Sequence, residues 1–349
     1  MSPEQPKVSV IMPVRDGERW VAEAIRSVRD QTLAAFELVV IDDGSTDATP
    51  DILVAAAAAD PRIVVLQQQR DGLVAALNRG LAAARAPLIA RLDADDVALP
   101  DRLARQVDHM AAHPGVVLLG GWATIIDEQG RPKGREMRPS PKNLRATLMK
   151  KSPFIHPTVM FRAEAAHRVG GYHAAFEAGE DYDFWLRLAD VGEIAILPEL
   201  LIRYREHGGS VTRTRQLRQI YSARLAKLAA AERHAGRPDP STALSAPPDW
   251  HNATPGSFER DSSRLFRMLE FADPAVAASI PASAIDLDAI TSQFATLTAG
   301  ERKFARAALL NLLLKDREAL GGARWPMILT LLRLDPLKTI KAAWQLRNR

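Results

Sequence analysis

Four short apolar runs alternate with helical stretches across the first hundred residues, and that rhythm leaves few folds open. Residues 8–12, 36–41, 62–66 and 87–92 read as strands. Between them, 18–31, 48–59 and 73–84 carry apolar residues at helical spacing, as in Trp20, Val21, Ala24, Ile25 and Val28. Pro100 opens a further helix over 100–112. A β-α-β-α order predicts an α/β fold, a mostly parallel sheet flanked by helices on both faces. Polar clusters at 13–17, 42–47 and 93–96 each follow a strand. In a parallel sheet those strand ends share one edge, where open α/β sheets bind ligands.

The cluster Asp93-Ala-Asp-Asp96 is the sharpest of the three. Three carboxylates within four residues repel one another unless positive charge sits among them. Hard cations such as Mg²⁺ or Mn²⁺ take oxygen ligands, and Mg²⁺ is commonly held by one or two carboxylates together with substrate phosphates. The alternative is a solvated acidic turn ahead of a helix whose first turn favours acids.

Composition narrows the rest. The chain has 349 residues, 47% of them hydrophobic, as in an ordinary globular protein of one large or two moderate domains. It has no cysteine, so disulfides, thiolate metal sites and a cysteine nucleophile are excluded. The first residues lack the basic-then-apolar order of a signal peptide, and no apolar run reaches the ~20 residues of a membrane span. A cytoplasmic protein is therefore expected, or one peripheral to the inner face of the plasma membrane. The net charge of +4 is uneven: eleven Lys/Arg against four Asp/Glu in 301–349 give +7, leaving −3 for the first 300 residues.

Beyond residue 115 the pattern changes. Residues 116–119, 123–126, 154–162, 194–197 and 200–204 read as strands, and 127–143 as a loop or hairpin tip. Helical spacing returns over 180–190 and 214–234. Residues 237–256 are rich in Pro and Ser and read as a linker, followed by helical stretches near 257–272, 287–298, 300–319 and 326–347. The expected organisation is a catalytic domain over 1–236, a linker over 237–256 and a C-terminal all-helical extension over 257–349.

Four segments occur in order: 7–16, 40–47, 93–103 and Gly179-Glu-Asp-Tyr-Asp-Phe-Trp-Leu-Arg187. Together they resemble the family 2 glycosyltransferases, with their Rossmann-like GT-A fold, over roughly residues 7–210. The resemblance implies an inverting, metal-dependent transfer of a sugar from a nucleoside-diphosphate sugar, a UDP-sugar first, to an acceptor hydroxyl. Cell-surface polysaccharide or glycolipid synthesis is the implied setting, with a glycan or lipid-linked acceptor. It implies that Pro13, Arg15, Asp16, Asp42 and Asp43 hold the nucleotide. A carboxylate suits uridine N3–H and the ribose hydroxyls, which are donors. Arg15 stands where the family usually has an aromatic residue, and its planar guanidinium can also stack on a base. Gly72 would let backbone approach the nucleotide, with Asn78 and Arg79 as further candidates.

Asp93 and Asp95 match the family's Asp-x-Asp. Asp95 is the expected direct ligand of Mn²⁺ or Mg²⁺, with Asp93 reaching the ribose or the metal, and His207 as a third metal candidate. Asp96 is expected to cap the helix behind it. Asp181 matches the catalytic base, with Glu180 in support and Asp183 a rival. Trp185 and Arg187 are placed near acceptor or diphosphate, with core packing the alternative for Trp185. His156 and Pro157 could line an acceptor groove. His109, His113, His167 and His173 read as surface or structural.

The tail interleaves Arg324, Arg333, Lys338, Lys341, Arg347 and Arg349 with Trp325, Ile328, Leu332, Ile340 and Trp344. Such a segment suits an anionic lipid surface; packing on the catalytic domain or a homodimer contact is the alternative. No nucleic-acid partner is expected. Two other functions compete. A nucleotidyltransferase would show a Gly-rich phosphate loop after the first strand, which residues 13–17 do not provide. A non-catalytic nucleotide-sugar-binding or assembly module would not need Asp93, Asp95 and Asp181 intact.

Overall fold

The computed structural model describes residues 5–208, 216–253, 256–273, 276–277, 285–313 and 324–334. Strands β1 (Val8–Val14), β2 (Phe36–Asp43), β3 (Ile63–Gln68) and β4 (Leu88–Arg91) pair in parallel in the order β3-β2-β1-β4. Helices α1 (Val21–Arg29), α2 (Thr49–Ala59) and α3 (Leu73–Ala83) connect them. After a two-residue strand β5 (Val97–Ala98) comes α4 (Arg102–Ala112). These agree with the sequence reading to within a few residues at each end.

Period-two alternation explains why both faces of this sheet are covered. Val8, Val10 and Met12 of β1, Leu38 and Val40 of β2, and Leu88, Ala90 and Leu92 join α1 and α4 in one apolar cluster. Ile11, Val39, Ile41 and Ile89 point the other way, against α3 and the later helices. The approach is close: a Cβ added at Gly80 of α3 would stand 2.6 Å from Ile11 Cγ2. Ser9 and Glu37 are buried in β1 and β2 and satisfy each other through a 2.5 Å hydrogen bond, with Arg85 closing the pair.

The second half of the sheet is mixed. β6 (Val116–Ile126) pairs antiparallel with β8 (Met160–Arg162), which pairs antiparallel with β4. β9 (Glu193–Arg205) runs parallel to β6 and antiparallel to β5. β7 (Pro132–Met137) folds back on β6 as a hairpin. Here the sequence reading needs correction. Residues 116–126 form one strand, because Gly120 and Gly121 are close-packing positions and not a break. An added Cβ would stand 2.6 Å from Phe154 Cδ1 and 2.1 Å from Leu201 Cδ1 respectively. Residues 193–205 are likewise one strand, with a register shift opposite 120–122 that accommodates Pro198. The predicted strand over 154–162 is a 3-10 turn (His156–Thr158) before β8, since Pro157 has no N–H for a ladder. The 127–143 segment, read as a loop or hairpin tip, is a hairpin; the strand β7 itself escapes the sequence reading because its side chains are exposed at the sheet edge and show no apolar period.

Helices α5 (Leu144–Leu148), α6 (Ala163–Arg168), α7 (Glu180–Val191) and α8 (Gln216–His234) complete this part. Then follow α9 (Arg260–Leu269), α10 (Asp288–Thr291), α11 (Ala299–Leu313) and α12 (Arg324–Leu334). Leu265, Phe266, Leu309, Leu312 and Leu331 of these helices share one apolar cluster with Trp185 and Ile11. The predicted 287–298 helix is only α10 and a 3-10 turn. Residues 314–319 and 335–349 lie outside the described residues, and with them Lys338, Lys341, Arg347, Arg349, Ile340 and Trp344. Among the described residues no helix is long and apolar enough to cross a membrane.

Candidate active site

A cleft of about 1250 Å³ opens at the carboxyl edge of the sheet. The chain beyond β4 supplies Asp93 and Asp95. The start of α7 supplies Glu180 and Asp181, the turn before α3 supplies Asp71 and Gly72, and the segment after β9 supplies Glu206 and His207. Residues more than a hundred positions apart therefore face one space. Ser245, Ala246 and Pro247, from the Pro/Ser-rich segment, wall its far end with Ala174 and Gln219.

Asp93, Asp95 and Asp96 bring one carboxylate oxygen each to within 4.8 Å of one another. Asp96 is 1% exposed, and its Oδ2 has no hydrogen-bond partner among the described residues. Burial and the neighbouring Asp93 and Asp95 push its carboxyl well above the usual carboxylate range. Three crowded oxygen donors, one of them orphaned, fit a hard divalent cation. His207 Nε2 stands 2.8 Å from Asp95 Oδ2, and that bond raises the imidazole's pKa. The indole of Trp20 packs on the same imidazole, with ring centroids 4.6 Å apart.

Asp96 does not cap α4, contrary to expectation. Its Oδ1 accepts the Arg205 backbone N–H at 2.8 Å, and the position before α4 is Asp101. Arg205 is the residue that composition hides. It is buried; its Nε donates to the Asp95 carbonyl, its Nη1 to the carbonyls of Asp127 and Glu128, and its Nη2 to Glu23. Arg102 does the same one layer down. Its Nη2 donates to the Arg91 carbonyl at 2.7 Å, and burial brings its guanidinium down to about 9. These two arginines fix the backbone on either side of the acidic turn.

Glu180 is the first residue of α7 and is buried. Burial, reinforced by Asp181, pushes its carboxyl up to about 8. Burial also raises Asp181, whose Oδ1 accepts the Tyr182 N–H at 2.7 Å. Asp183 is not a rival for the cleft. It is fully buried and takes both Nε (2.9 Å) and Nη2 (2.6 Å) of Arg187 on one oxygen. Arg187 is thus a core ion-pair partner and not a diphosphate ligand. Trp185 sits in an aromatic cluster with Phe154, His156, Phe161 and Phe184, so packing describes it. His156 lines the cleft, with Nε2 3.2 Å from the Tyr172 hydroxyl, and burial lowers its pKa.

The remaining nucleotide candidates lie at the strand ends beside the cleft. Asp43 Oδ1 accepts from Gln68 Nε2 and from the N–H groups of Asp71 and Gly72, which shapes the turn that lines the cleft. Gly72 has φ +91°, and an added Cβ would meet nothing within 4 Å. Asp42 accepts the Ser45 N–H, and Asp16 accepts the Thr46 N–H. Pro13 is paired within the sheet opposite Ile41, and Arg15 is exposed beside Asp16. Asn78 clamps the backbone of Tyr172 from both sides, and Arg79 donates to the Gln67 carbonyl.

Comparison with known proteins gives the family and the fold. The profile of Glycosyl transferase family 2 matches residues 9–170. The amylovoran biosynthesis glycosyltransferase AmsE of Erwinia amylovora is 32% identical over 202 residues, covering 57% of this chain and 76% of that protein. The putative glycosyltransferase EpsE of Bacillus subtilis is 36% identical over 213 residues, covering 60% and 76%. The O-antigen biosynthesis glycosyltransferase WbnJ of Escherichia coli is 32% identical over 211 residues, covering 59% and 82%. The chain belongs to glycosyltransferase family 2 and is a glycosyltransferase. Its fold is GT-A, similar to TarS of S. aureus in complex with UDP-GlcNAc (TM-score 0.53, 16% identity, 96% of this chain and 89% of that one). The mannosyltransferase PcManGT of Pyrobaculum calidifontis, in complex with GDP-Man and Mn²⁺, is also similar (TM-score 0.51, 22% identity, 89% and 88%).

Proposed function

We propose that this glycosyltransferase transfers a sugar, with inversion, from a nucleoside-diphosphate sugar to an acceptor hydroxyl in cell-surface polysaccharide or glycolipid synthesis. The observation that carries this is the meeting of Asp93 and Asp95 with Glu180 and Asp181 in one cleft. Asp95 and Asp93, with His207 beside them, would hold Mn²⁺ or Mg²⁺. Such a cation offsets the charge that develops on the departing diphosphate.

In a single displacement the acceptor oxygen attacks C1 of the sugar while the C1–O bond to the diphosphate breaks. The acceptor's proton passes to a carboxylate on the face opposite the leaving group. The Glu180–Asp181 pair suits that step because both acids line the cleft that Asp93 and Asp95 also line. Burial and the neighbouring Asp181 push Glu180 up to about 8, burial also raises Asp181, and Asp181 is assigned as the base with Glu180 in support. The nucleotide belongs by Asp43, Asp71 and Gly72, with Pro13, Arg15, Asp16 and Asp42 framing that end. A UDP-sugar is the favoured donor. The sugar polymers named for AmsE and WbnJ support a polysaccharide setting.

Residues 1–236 are the catalytic unit in this reading. Residues 237–256 connect it to the helices of 257–349, and Ser245, Ala246 and Pro247 of the connecting segment wall one end of the cleft. The basic tail is assigned to an anionic membrane surface, where a lipid-linked acceptor would sit. Co-sedimentation of the full chain and of a 1–334 truncation with vesicles containing phosphatidylglycerol tests that assignment; equal recovery of both sinks it. For the reaction itself, the anomeric configuration of the product, read by NMR, decides inversion. A product that keeps the donor's configuration contradicts the single displacement.

A further inference from the structure

Arg91 is 3% exposed, yet it lines the cleft. Its neighbours Ala90, on β4, and Leu92, just after it, enter the apolar cluster beneath α1 and α4. Arg91 and Asp93 therefore point to the opposite face, the one that carries the cleft. Arg91 Nη1 forms an ion pair with Asp93 Oδ2. Among the described residues its Nε has no hydrogen-bond partner.

An arginine carries five N–H donors in a fixed fork, and burying such donors unsatisfied is costly. Native structures rarely leave them so. A countercharge for Asp93 alone would need only an ammonium, which strands no Nε. Nor does the side chain hold the fold's backbone, since Arg102 anchors that part of β4. The nearby polar groups engage each other, His156 Nε2 with the Tyr172 hydroxyl. Arg91 lines the same cleft as Asp93, Glu180 and Asp181, and its positive charge lowers both acids of α7.

We propose that Arg91 is a donor-sugar-binding residue, whose guanidinium donates hydrogen bonds to a neutral oxygen of the transferred sugar at the floor of the cleft. This rests on the nucleotide-sugar reading above. The position selects the sugar. The diphosphate belongs with Asp93 and Asp95, the nucleotide lies towards Gly72, and the reacting carbon must face Asp181. What reaches the floor between these is the sugar ring with its hydroxyl, ring or acyl oxygens. An anionic group is disfavoured there, because Asp93, Asp95, Glu180 and Asp181 line the space.

Calorimetric titration of the full chain in Mn²⁺ tests this with matched pairs: UDP against UDP-glucose, UDP against UDP-N-acetylglucosamine, and GDP against GDP-mannose. Arg91→Met is expected to weaken the sugar nucleotide by about tenfold to a hundredfold, the worth of a hydrogen bond from a charged donor. Affinity for the matching free nucleotide stays within about twofold, a margin of less than half a kcal/mol. Arg91→Lys keeps the countercharge to Asp93 and loses the fork. It is expected to show the same selective loss at an unchanged melting temperature, and it carries the test if Arg91→Met does not fold. A parallel fall for both members of a pair overturns the proposal, because Arg91 then serves only the Asp93 site. No change in either variant overturns it as well. A wild-type chain that binds neither member of any pair contradicts the nucleotide-sugar reading itself, and this proposal with it.

Discussion

Arg205 Nε donates to the backbone carbonyl of Asp95 at 2.7 Å, joining the end of β9 to the acidic turn across 110 residues of chain. The same side chain reaches Asp127, Glu128 and Glu23, so a single buried guanidinium ties together four segments around the cleft. Replacing it takes away the donor to the Asp95 carbonyl and one of two donors to each of the Asp127 and Glu128 carbonyls. Arg205→Ala should lower unfolding free energy by about 3–5 kcal/mol, the usual result of removing one partner from a buried charged network. Urea unfolding reads the loss. Mn²⁺ affinity, measured by calorimetry, should fall with it because the Asp95 turn is no longer held.

The Glu180 carboxyl gives stability a pH dependence. Its folded value, about 8, stands above the 4.5 of an ordinary glutamate. A carboxyl raised on folding stabilises the native state fully below its unfolded value. That contribution is lost as pH rises through the folded one. Metal-free protein should therefore lose about 2–4 kcal/mol between pH 4.5 and 8 through this site. Glu180→Gln should flatten that slope and exceed the wild type in stability at pH 8.5, while matching it near pH 4. Chemical denaturation across the range checks this, and parallel curves for the two proteins would count against it.

Asp181→Asn keeps the shape of the base and removes its basicity. The rate constant for transfer should drop by about a hundredfold to ten-thousandfold. Binding of Mn²⁺ and of nucleoside diphosphate should stay as in the wild type. Steady-state kinetics with parallel titrations separate the two. A variant with unaltered kcat moves the base to Glu180.

Gly80 sits inside α3, where alanine would ordinarily gain about 1 kcal/mol of helix propensity. Here the new methyl meets Ile11 Cγ2 at 2.6 Å and Ile41 Cδ1 at 2.9 Å, both in the core. Overpacking typically costs about 1–3 kcal/mol, so Gly80→Ala should be net destabilising. The midpoint of urea unfolding decides the sign.

The elements that could be read from sequence are those whose burial follows a period. β1 to β4 and α1 to α4 alternate in the order expected, and the strand-end clusters do face one edge. Asp93, Asp95, Glu180, Asp181, Gly72 and His207, picked out by separate motifs, line a single cleft. The supports of that site were not legible. Arg205, Arg102 and Arg91 are buried arginines, against the residue's usual place at the surface. Their partners are carbonyls and acids supplied by other strands. β7 was hidden because an exposed edge strand needs no apolar alternation. Gly120-Gly121 and Pro198 looked like breaks, although close packing and a register shift carry β6 and β9 through them.

Everything proposed for the cleft requires a divalent cation at Asp95. The decisive measurement is release of nucleoside diphosphate from UDP-, GDP- and dTDP-sugars by the full chain with Mn²⁺ or Mg²⁺, repeated with EDTA and with Asp95→Ala. Release is predicted from at least one donor. It should be abolished by EDTA, restored by added Mn²⁺, and lost in Asp95→Ala at an unchanged fold. Release that persists undiminished in EDTA, or in Asp95→Ala, contradicts the metal site.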